Sequence, residues 1–233
     1  MSSDGDIIWV ASFDIGKVNF CFHIGQVDVK RMRELPKIPR AKRYNPNGTM
    51  TDAYAKVVGV GIKSGVSIVF QNSDLTEGCP KGAYLDSEMY HNMTQLLDKY
   101  ADYWNKCSYF LIEQQMSFGK KHNTMALKLG QHCYSYFAIL YGRFKTVVDF
   151  PAYHKTQLLG AEKIERKTKA GKISYKAVDK PARKKWAIEK AKELLSMRGE
   201  DDMLEHLCTS KKKDDIADVL CQLEAWKIMT FLD

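Results

Sequence analysis

The sequence predicts an α/β domain with a mixed β-sheet flanked by helices, and three observations carry that prediction. Two short apolar runs lie close together near the N-terminus, and strand-like and helix-like segments alternate later in the chain. The third is length, because 233 residues bury one sizeable core without disulfide or metal staples.

Taken in order, Ile7 to Phe13 is β-branched and aromatic and ends at Asp14-Ile15-Gly16, so it reads as a buried strand with a turn behind it. Val18 to Ile24 is a second strand, near enough to pair antiparallel with the first. Lys30 to Thr51 is basic and holds Pro36, Pro39, Pro46 and Gly48, the composition of a surface loop. It opens a basic insertion placed near 30–64. Val66 to Phe70 resumes strand character, and Asn72 to Gly82 is a further loop.

Met89, Met93, Leu96, Leu97, Tyr100 and Tyr103 recur at helical spacing, which predicts one helix from Asp86 to Trp104. Tyr109 to Ile112 is a buried strand running into Glu113. A helix over 124–141 and a strand over 144–148 follow. Leu127, Tyr134, Phe137, Ala138 and Tyr141 form a stripe on that helix, suited to a core or a dimer contact. Residues 162–181 are lysine-rich with two glycines and Pro181, and read as a mobile basic loop. Ala182 to Met197 and Asp214 to Phe231 are the closing helices. With no internal repeat or low-complexity tract, one domain spans 1–233.

The formal charge is +8. Residues 163–213 alone carry 16 Lys or Arg against 8 Asp or Glu, again +8, so the excess is regional. Such a patch favours a polyanionic partner. The six cysteines form no C-x-x-C pair, and Cys21 and Cys107 sit in apolar runs, a pattern of buried reduced thiols. No stretch reaches 18 apolar residues and no signal peptide opens the chain, so an intracellular location without a membrane span is expected. The cytosol, the nucleus and a viral replication compartment all satisfy that expectation.

Acidic residues fall where chemistry is built. Asp14 and Glu113 end two buried strands, and Asp214, Asp215 and Asp218 open the last helix. Ligands of α/β sheets bind outside the carboxyl ends of strands, and Asp218 shares a helix face with either neighbour, three or four residues away. Gathered carboxylates repel unless a cation joins them, and hard oxygen ligands suit Mg²⁺ or Mn²⁺. Taken singly, each acid has a plainer role, in turn chemistry at Asp14 or in complementing a helix dipole at Asp214 and Asp215.

The segments Ser12-Phe13-Asp14-Ile15-Gly16-x-x-Asn19, Leu111-Ile112-Glu113-Gln114-Gln115 and Lys212-x-Asp214-Asp215-x-Ala217-Asp218 resemble, in order and spacing, the three acidic motifs of the Holliday junction resolvases. The likeness is to the poxvirus-type and RuvC-like branches. It implies an RNase H-like fold, a homodimer and Mg²⁺-dependent paired nicks across a four-way DNA junction, in recombination or replication. Carried over by position, Asp14, Glu113, Asp215 and Asp218 are the catalytic metal ligands. Asp214 is a further candidate, because the motif holds an adjacent pair. The chain departs from bacterial members in holding Met116, with Phe118 nearby, where those often have an aromatic. The stretch from Lys30 to Ser64 also looks longer than the hairpin that usually follows the first motif in that family, and the sequence assigns it no task.

The expected DNA contacts are Lys180, Arg183, Lys184 and Lys185 at a helix start, and Lys211, Lys212 and Lys213 against the acidic cluster. Three cations at a helix N-terminus are unfavourable to the helix by a few tenths of a kcal/mol each, which suits them to gripping phosphates. Lys120 and Lys121, beside His122, form a second basic patch. Two other functions stay open on the residues alone. One is another RNase H-like nuclease, acting on RNA–DNA hybrids or flaps. The other is a catalytically silent DNA-binding protein.

Overall fold

A computed structural model describes residues 6–115, 123–168 and 171–233. Its centre is a five-stranded mixed sheet in the order β3-β2-β1-β4-β5. Strand β1 (Ile7–Asp14) pairs antiparallel with β2 (Phe20–Asp28), and β2 pairs antiparallel with β3 (Gly65–Ser73). On the other side, β1 runs parallel to β4 (Cys107–Gln114), and β4 parallel to β5 (Thr146–Pro151). Helices cover both faces, which is the RNase H-like arrangement.

Alternation along the strands divides the core in two. Ala11, Phe13, Phe20, Phe22, Ile24, Phe110 and Ile112 enter one layer, under α3 (Ser87–Lys99), α4 (Ala101–Lys106) and α5 (Thr124–Tyr141). Phe13, Phe22, Trp104, Phe110 and Phe137 interlock there, with ring centroids 3.9–6.2 Å apart. On the α5 stripe, Phe137 lies in this core, while Tyr134 and Tyr141 pack against its rim. Val10, Cys21, Val27 and Leu111 enter the opposite layer, under α2 (Asp52–Ile62), α6 (Tyr153–Leu158), α7 (Lys180–Arg198), α8 (Asp201–Thr209) and α9 (Lys213–Phe231). Helix α9 is buried on nearly every side from Ile216 to Ile228. Near its C-terminal end Glu224 pairs with both Arg198 of α7 and Lys227, so a buried ion triad fastens the two helices.

The sequence reading needs four corrections. The helix expected over 86–104 breaks at Tyr100, whose φ of −107° and ψ of 16° end α3 before α4 starts. The insertion is more ordered than its prolines suggest. After the short α1 (Val29–Arg33), Thr51 caps α2 by accepting from the Tyr54 amide, and Tyr54, Val57, Val58 and Ile62 bury a helical stripe. Gly59 and Gly61 obscure that helix in the sequence, yet Gly61 lets the Met32 and Leu35 side chains approach to 3.3 Å of where a Cβ would stand. Helices α6 and α8 have no counterpart among the elements the sequence predicts. Finally, the basic stretch over 162–181 is not a loose loop throughout. It holds an antiparallel ribbon of β6 (Ile164–Lys167) and β7 (Ile173–Lys176), turned through Gly171 at φ +74°.

Candidate active site

Two strand ends and one helix start meet at one corner of the sheet. Phe13 pairs with Ile112 across parallel β1 and β4, so the next residues, Asp14 and Glu113, end adjacent strands side by side. Phe13 and Ile112 point into the layer of α3 to α5, so alternation turns both acids to the face that α9 covers. Gly16 makes the turn behind Asp14 possible, because a Cβ there would meet the Asn19 carbonyl oxygen at 2.8 Å. The spacing of the first motif, Asp-x-Gly-x-x-Asn, is therefore the geometry of a tight turn.

On α9, Asp215, Asp218 and Gln222 fall on one stripe by their spacing of three and four. The buried Gln222 side chain donates to the carbonyl oxygens of Phe13 at 3.2 Å and Leu111 at 3.0 Å. This pins the helix across the two strands just before their acidic ends, and sets Asp218 one turn further toward the corner.

Lys155 lies in the middle of that corner, only 6% exposed. Its ammonium is 2.7 Å from Glu113 Oε2 and 3.3 Å from Asp218 Oδ1. Burial opposes the charge on Lys155, but Glu113, Asp218 and Asp14 outweigh it and hold its pKa above the ordinary lysine value. The Asp14 carboxyl makes no hydrogen bond or ion pair among the described residues. Burial, then the charge of Glu113, drives its carboxyl well above the usual range, with Asp218 and Asp215 adding to the rise and Lys155 opposing it. Asp215 is raised too, first by burial and then by Asp214, although Lys184 and a hydrogen bond with Asn72 pull it back. Its Oδ2 is buried without a hydrogen-bond partner.

Asp214 stands apart from this group. It pairs with Lys184 of α7, and that contact prevails over burial to hold its carboxyl below the usual range. Of the basic residues expected to touch DNA, Lys184 therefore reaches the acidic group. Lys180, Arg183, Lys185, Lys211 and Lys212 are exposed around it, and Lys213 is half-buried at the start of α9. Lys120 and Lys121 lie outside the described residues, as do Met116, Phe118 and His122.

Asp14, Glu113, Asp215 and Asp218 are hard oxygen donors, and the unsatisfied Asp215 Oδ2 and unpaired Asp14 suit a divalent cation such as Mg²⁺ or Mn²⁺. The donor set fits, but it is not a closed cage. Among the described residues no three acidic, histidine or cysteine side chains stand together at ligand distance. Glu113 and Asp218 contact the Lys155 ammonium instead, and Asp14 acts on its charge. Lys155 and Gln222 are the two residues that sequence reasoning missed. A lone lysine in Pro-Ala-Tyr-His-Lys and a glutamine in an apolar helix carry no signal until the sheet brings them to the acids.

No known family model matches the chain. The uncharacterized protein 170L of Invertebrate iridescent virus 6 is 39% identical to it over 233 residues, spanning 94% of this chain and 89% of that protein. The uncharacterized protein 97L of Invertebrate iridescent virus 3 is 30% identical over 229 residues, spanning 94% of this chain and all of the relative. Among solved structures, fowlpox virus resolvase in complex with its substrate Holliday junction DNA superposes with a TM-score of 0.55 at 15% identity, over 95% of this chain and 98% of that one. The last likeness is one of fold.

Proposed function

The chain belongs to the family of the iridescent-virus proteins 170L and 97L, and we propose that it is a Holliday junction resolvase, an endodeoxyribonuclease that nicks four-way DNA junctions symmetrically. The observation that carries the reading is the convergence of Asp14, Glu113 and Asp218, from three distant segments, on the buried Lys155 ammonium. The fold shared with a resolvase bound to its junction supports the choice of substrate.

In this reading Asp14, Glu113, Asp215 and Asp218 would hold Mg²⁺ or Mn²⁺, which when bound supplies an activated water and stabilises the leaving oxygen in phosphodiester hydrolysis. The residues of the chain prepare that site. The strand ends fix two carboxylates on one face, Gln222 fixes the helix that brings the third, and Lys155 keeps the assembled acids from driving each other apart. Asp214, engaged by Lys184, orients the basic start of α7 toward the same corner. Lys180, Arg183, Lys185 and Lys211 to Lys213 then lie where phosphates would approach; Lys120 and Lys121, outside the described residues, are further contacts on the sequence reading alone. A four-way junction is two-fold symmetric and one chain folds one such corner, so the active form is a homodimer with one site for each nick.

The test is a gel assay on a labelled four-way junction, a linear duplex and an RNA–DNA hybrid, with and without Mg²⁺. Metal-dependent paired nicks confined to the junction are expected, and Asp14→Asn or Glu113→Gln should abolish them while junction binding survives. Cleavage of the hybrid alone would replace the resolvase reading with a hybrid nuclease. Binding without any cleavage would replace it with a silent DNA-binding protein.

A further inference from the structure

The β6–β7 ribbon is attached to the corner just described but packs on neither layer of the domain. All four residues of β6 are exposed, and of β7 only Ser174 is half-buried. A two-stranded hairpin alone is marginal in water, so this one is held at its root. The Lys163 amide donates to the Asn47 carbonyl at 2.8 Å, and the Asn47 side-chain amide donates to Glu162 at 3.1 Å. The turn that carries Asn47 is itself tied down, since the Tyr44 hydroxyl donates to the Leu158 carbonyl at 2.9 Å. That turn belongs to the proline-rich insertion, which thereby acquires a task as the brace of the ribbon.

Charge is the second observation. Among the described residues from 163 to 176, Lys163, Arg166, Lys167, Lys172 and Lys176 face one acid, Glu165. None of the five cations forms an ion pair among the described residues. Opposed pairs share a face of an antiparallel ribbon. Ile164 with Lys176 and Arg166 with Ser174 therefore occupy one face, and Glu165 with Tyr175 and Lys167 with Ile173 the other. Both faces thus carry a cation beside an apolar group. A flat anionic surface would meet one face only. A DNA groove has a phosphate wall on either side, and the major groove, about 12 Å wide, admits a two-stranded ribbon.

Position is the third. The chain passes from Lys155, which contacts Glu113 and Asp218, through the ribbon to Lys184, which contacts Asp214. Each end of the ribbon, at Lys163 and Lys176, therefore lies eight residues along the chain from a lysine of the acidic corner. Four residues at about 3.4 Å each give the ribbon a reach of roughly 14 Å, enough to engage duplex several base pairs from a scissile phosphate.

We propose that the β6–β7 ribbon is a DNA-gripping arm that enters a groove of the duplex flanking the cleavage point, with Arg166, Lys167, Lys172 and Lys176 on the phosphates and Ile164, Ile173 and Tyr175 against the groove. The arm rests on the nuclease reading for the identity of its partner. It extends the basic surface at the start of α7 along the duplex.

The test compares the wild-type protein with the variant R166Q/K167Q/K172Q/K176Q in metal-free binding to a long linear duplex and to a four-way junction with long arms, over a range of salt. Each lost phosphate contact lowers the slope of log affinity against log salt by about 0.9, so a drop of up to roughly 3.6 is expected, with affinity at low salt at least ~10-fold weaker. An unchanged slope on both DNAs overturns the proposal. Because the comparison is also made on linear duplex, it is independent of junction preference. A wild-type protein that binds junction no better than duplex would sink the resolvase reading and leave the arm standing. If the variant does not fold, amine-reactivity footprinting of the wild-type protein decides. Protection of Lys167, Lys172 and Lys176 by added duplex supports the arm, and unchanged reactivity overturns it. Protection that rises with protein concentration in the absence of DNA would assign the ribbon to a second copy of the chain and also overturn it.

Discussion

Replacing Lys155 by methionine isolates the electrostatics of the acidic corner, because the aliphatic stem is retained and only the ammonium is lost. Lys155 is buried and contacts Glu113 at 2.7 Å and Asp218 at 3.3 Å, with Asp14 also acting on its charge. Removing one partner of a buried ion pair costs on the order of 3–5 kcal/mol, because the other charge is left uncompensated. For a chain of this size that lowers Tm by roughly 10 °C at neutral pH without divalent metal. The sign of the pH dependence separates this cause from a simple packing loss. In the wild-type protein Lys155 is held above its ordinary pKa, so its contribution is complete below about 10.5 and is lost only as pH rises beyond that. In K155M the acids lose their counterion, and Asp14, already well above its usual range, rises further. The folded state then binds protons that the unfolded chain does not, so the deficit narrows as pH falls from neutral toward the ordinary carboxylate range. Thermal melts of both proteins between neutral and mildly acid pH, in chelator, measure it. A K155M deficit that stays constant across that range, or no deficit at all, would refute the reasoning.

Two further perturbations act on residues that hold the site in place. Gln222→Leu removes the donor shared by the Phe13 and Leu111 carbonyls, at a cost of about 1–3 kcal/mol by denaturant unfolding. Cleavage should fall more than junction binding does, and full activity in that variant would show that α9 needs no such pin. At the other end of α9, Glu224→Gln removes the acid shared by the buried Arg198 and Lys227 and leaves only Glu200, 3.9 Å from Arg198, to offset their charges, costing roughly 3 kcal/mol. Arg198 and Lys227 outweigh burial to hold the Glu224 carboxyl below its usual value of 4.5. Its stabilisation is therefore present above that pH and lost as pH falls below it. Acid unfolding should begin below about pH 4.5 in the wild-type protein and lose that contribution in E224Q; superimposed acid profiles would argue against the triad.

What the sequence disclosed and what it withheld divide along the range of the interactions. Ile7 to Phe13 and Tyr109 to Ile112 are legible as strands because burial on both faces leaves a largely apolar run, and each run is followed directly by the acid that matters. Helix α5 coincides with its expected span, Thr124 to Tyr141, because Asn123 caps one end and Gly142 stops the other. Helix α9 shows little amphipathic patterning because it is buried on almost all sides, and only its acidic start marks it. Helix α2 was lost behind two glycines whose absent side chains are used for close packing. The ribbon was lost behind lysines that solvent would favour equally in a loop. Lys155 had no local signal at all, since its meaning lies in Glu113 and Asp218, 42 and 63 residues away in the chain.

The charge balance of the corner connects these observations to the proposed chemistry. Among the described residues, the ion pairs of the five carboxylates Asp14, Glu113, Asp214, Asp215 and Asp218 are made with two ammonium groups, Lys155 and Lys184. Fully ionised, five negative charges against two positive leave an excess of three negative charges in a site that is largely shielded from water. The raised carboxyls of Asp14 and Asp215 are where that excess is felt, and the lowered carboxyl of Asp214 is where a lysine already relieves it. A phosphodiester brought to the corner adds a further negative charge, which Lys155 cannot serve while it holds Glu113 and Asp218. On the proposed reading, cations would accompany the substrate, at the acids themselves and along the approach. Two divalent ions would supply the first. The second falls to the exposed lysines and arginine at the start of α7 and, on our proposal, to the ribbon that leads into it. On this account the regional concentration of basic residues and the cluster of acids are two halves of one electrostatic design: neutralising the ribbon cations Arg166, Lys167, Lys172 and Lys176 should weaken DNA binding without moving the pKa values of the acids, whereas neutralising Lys184 should also release the Asp214 carboxyl upward.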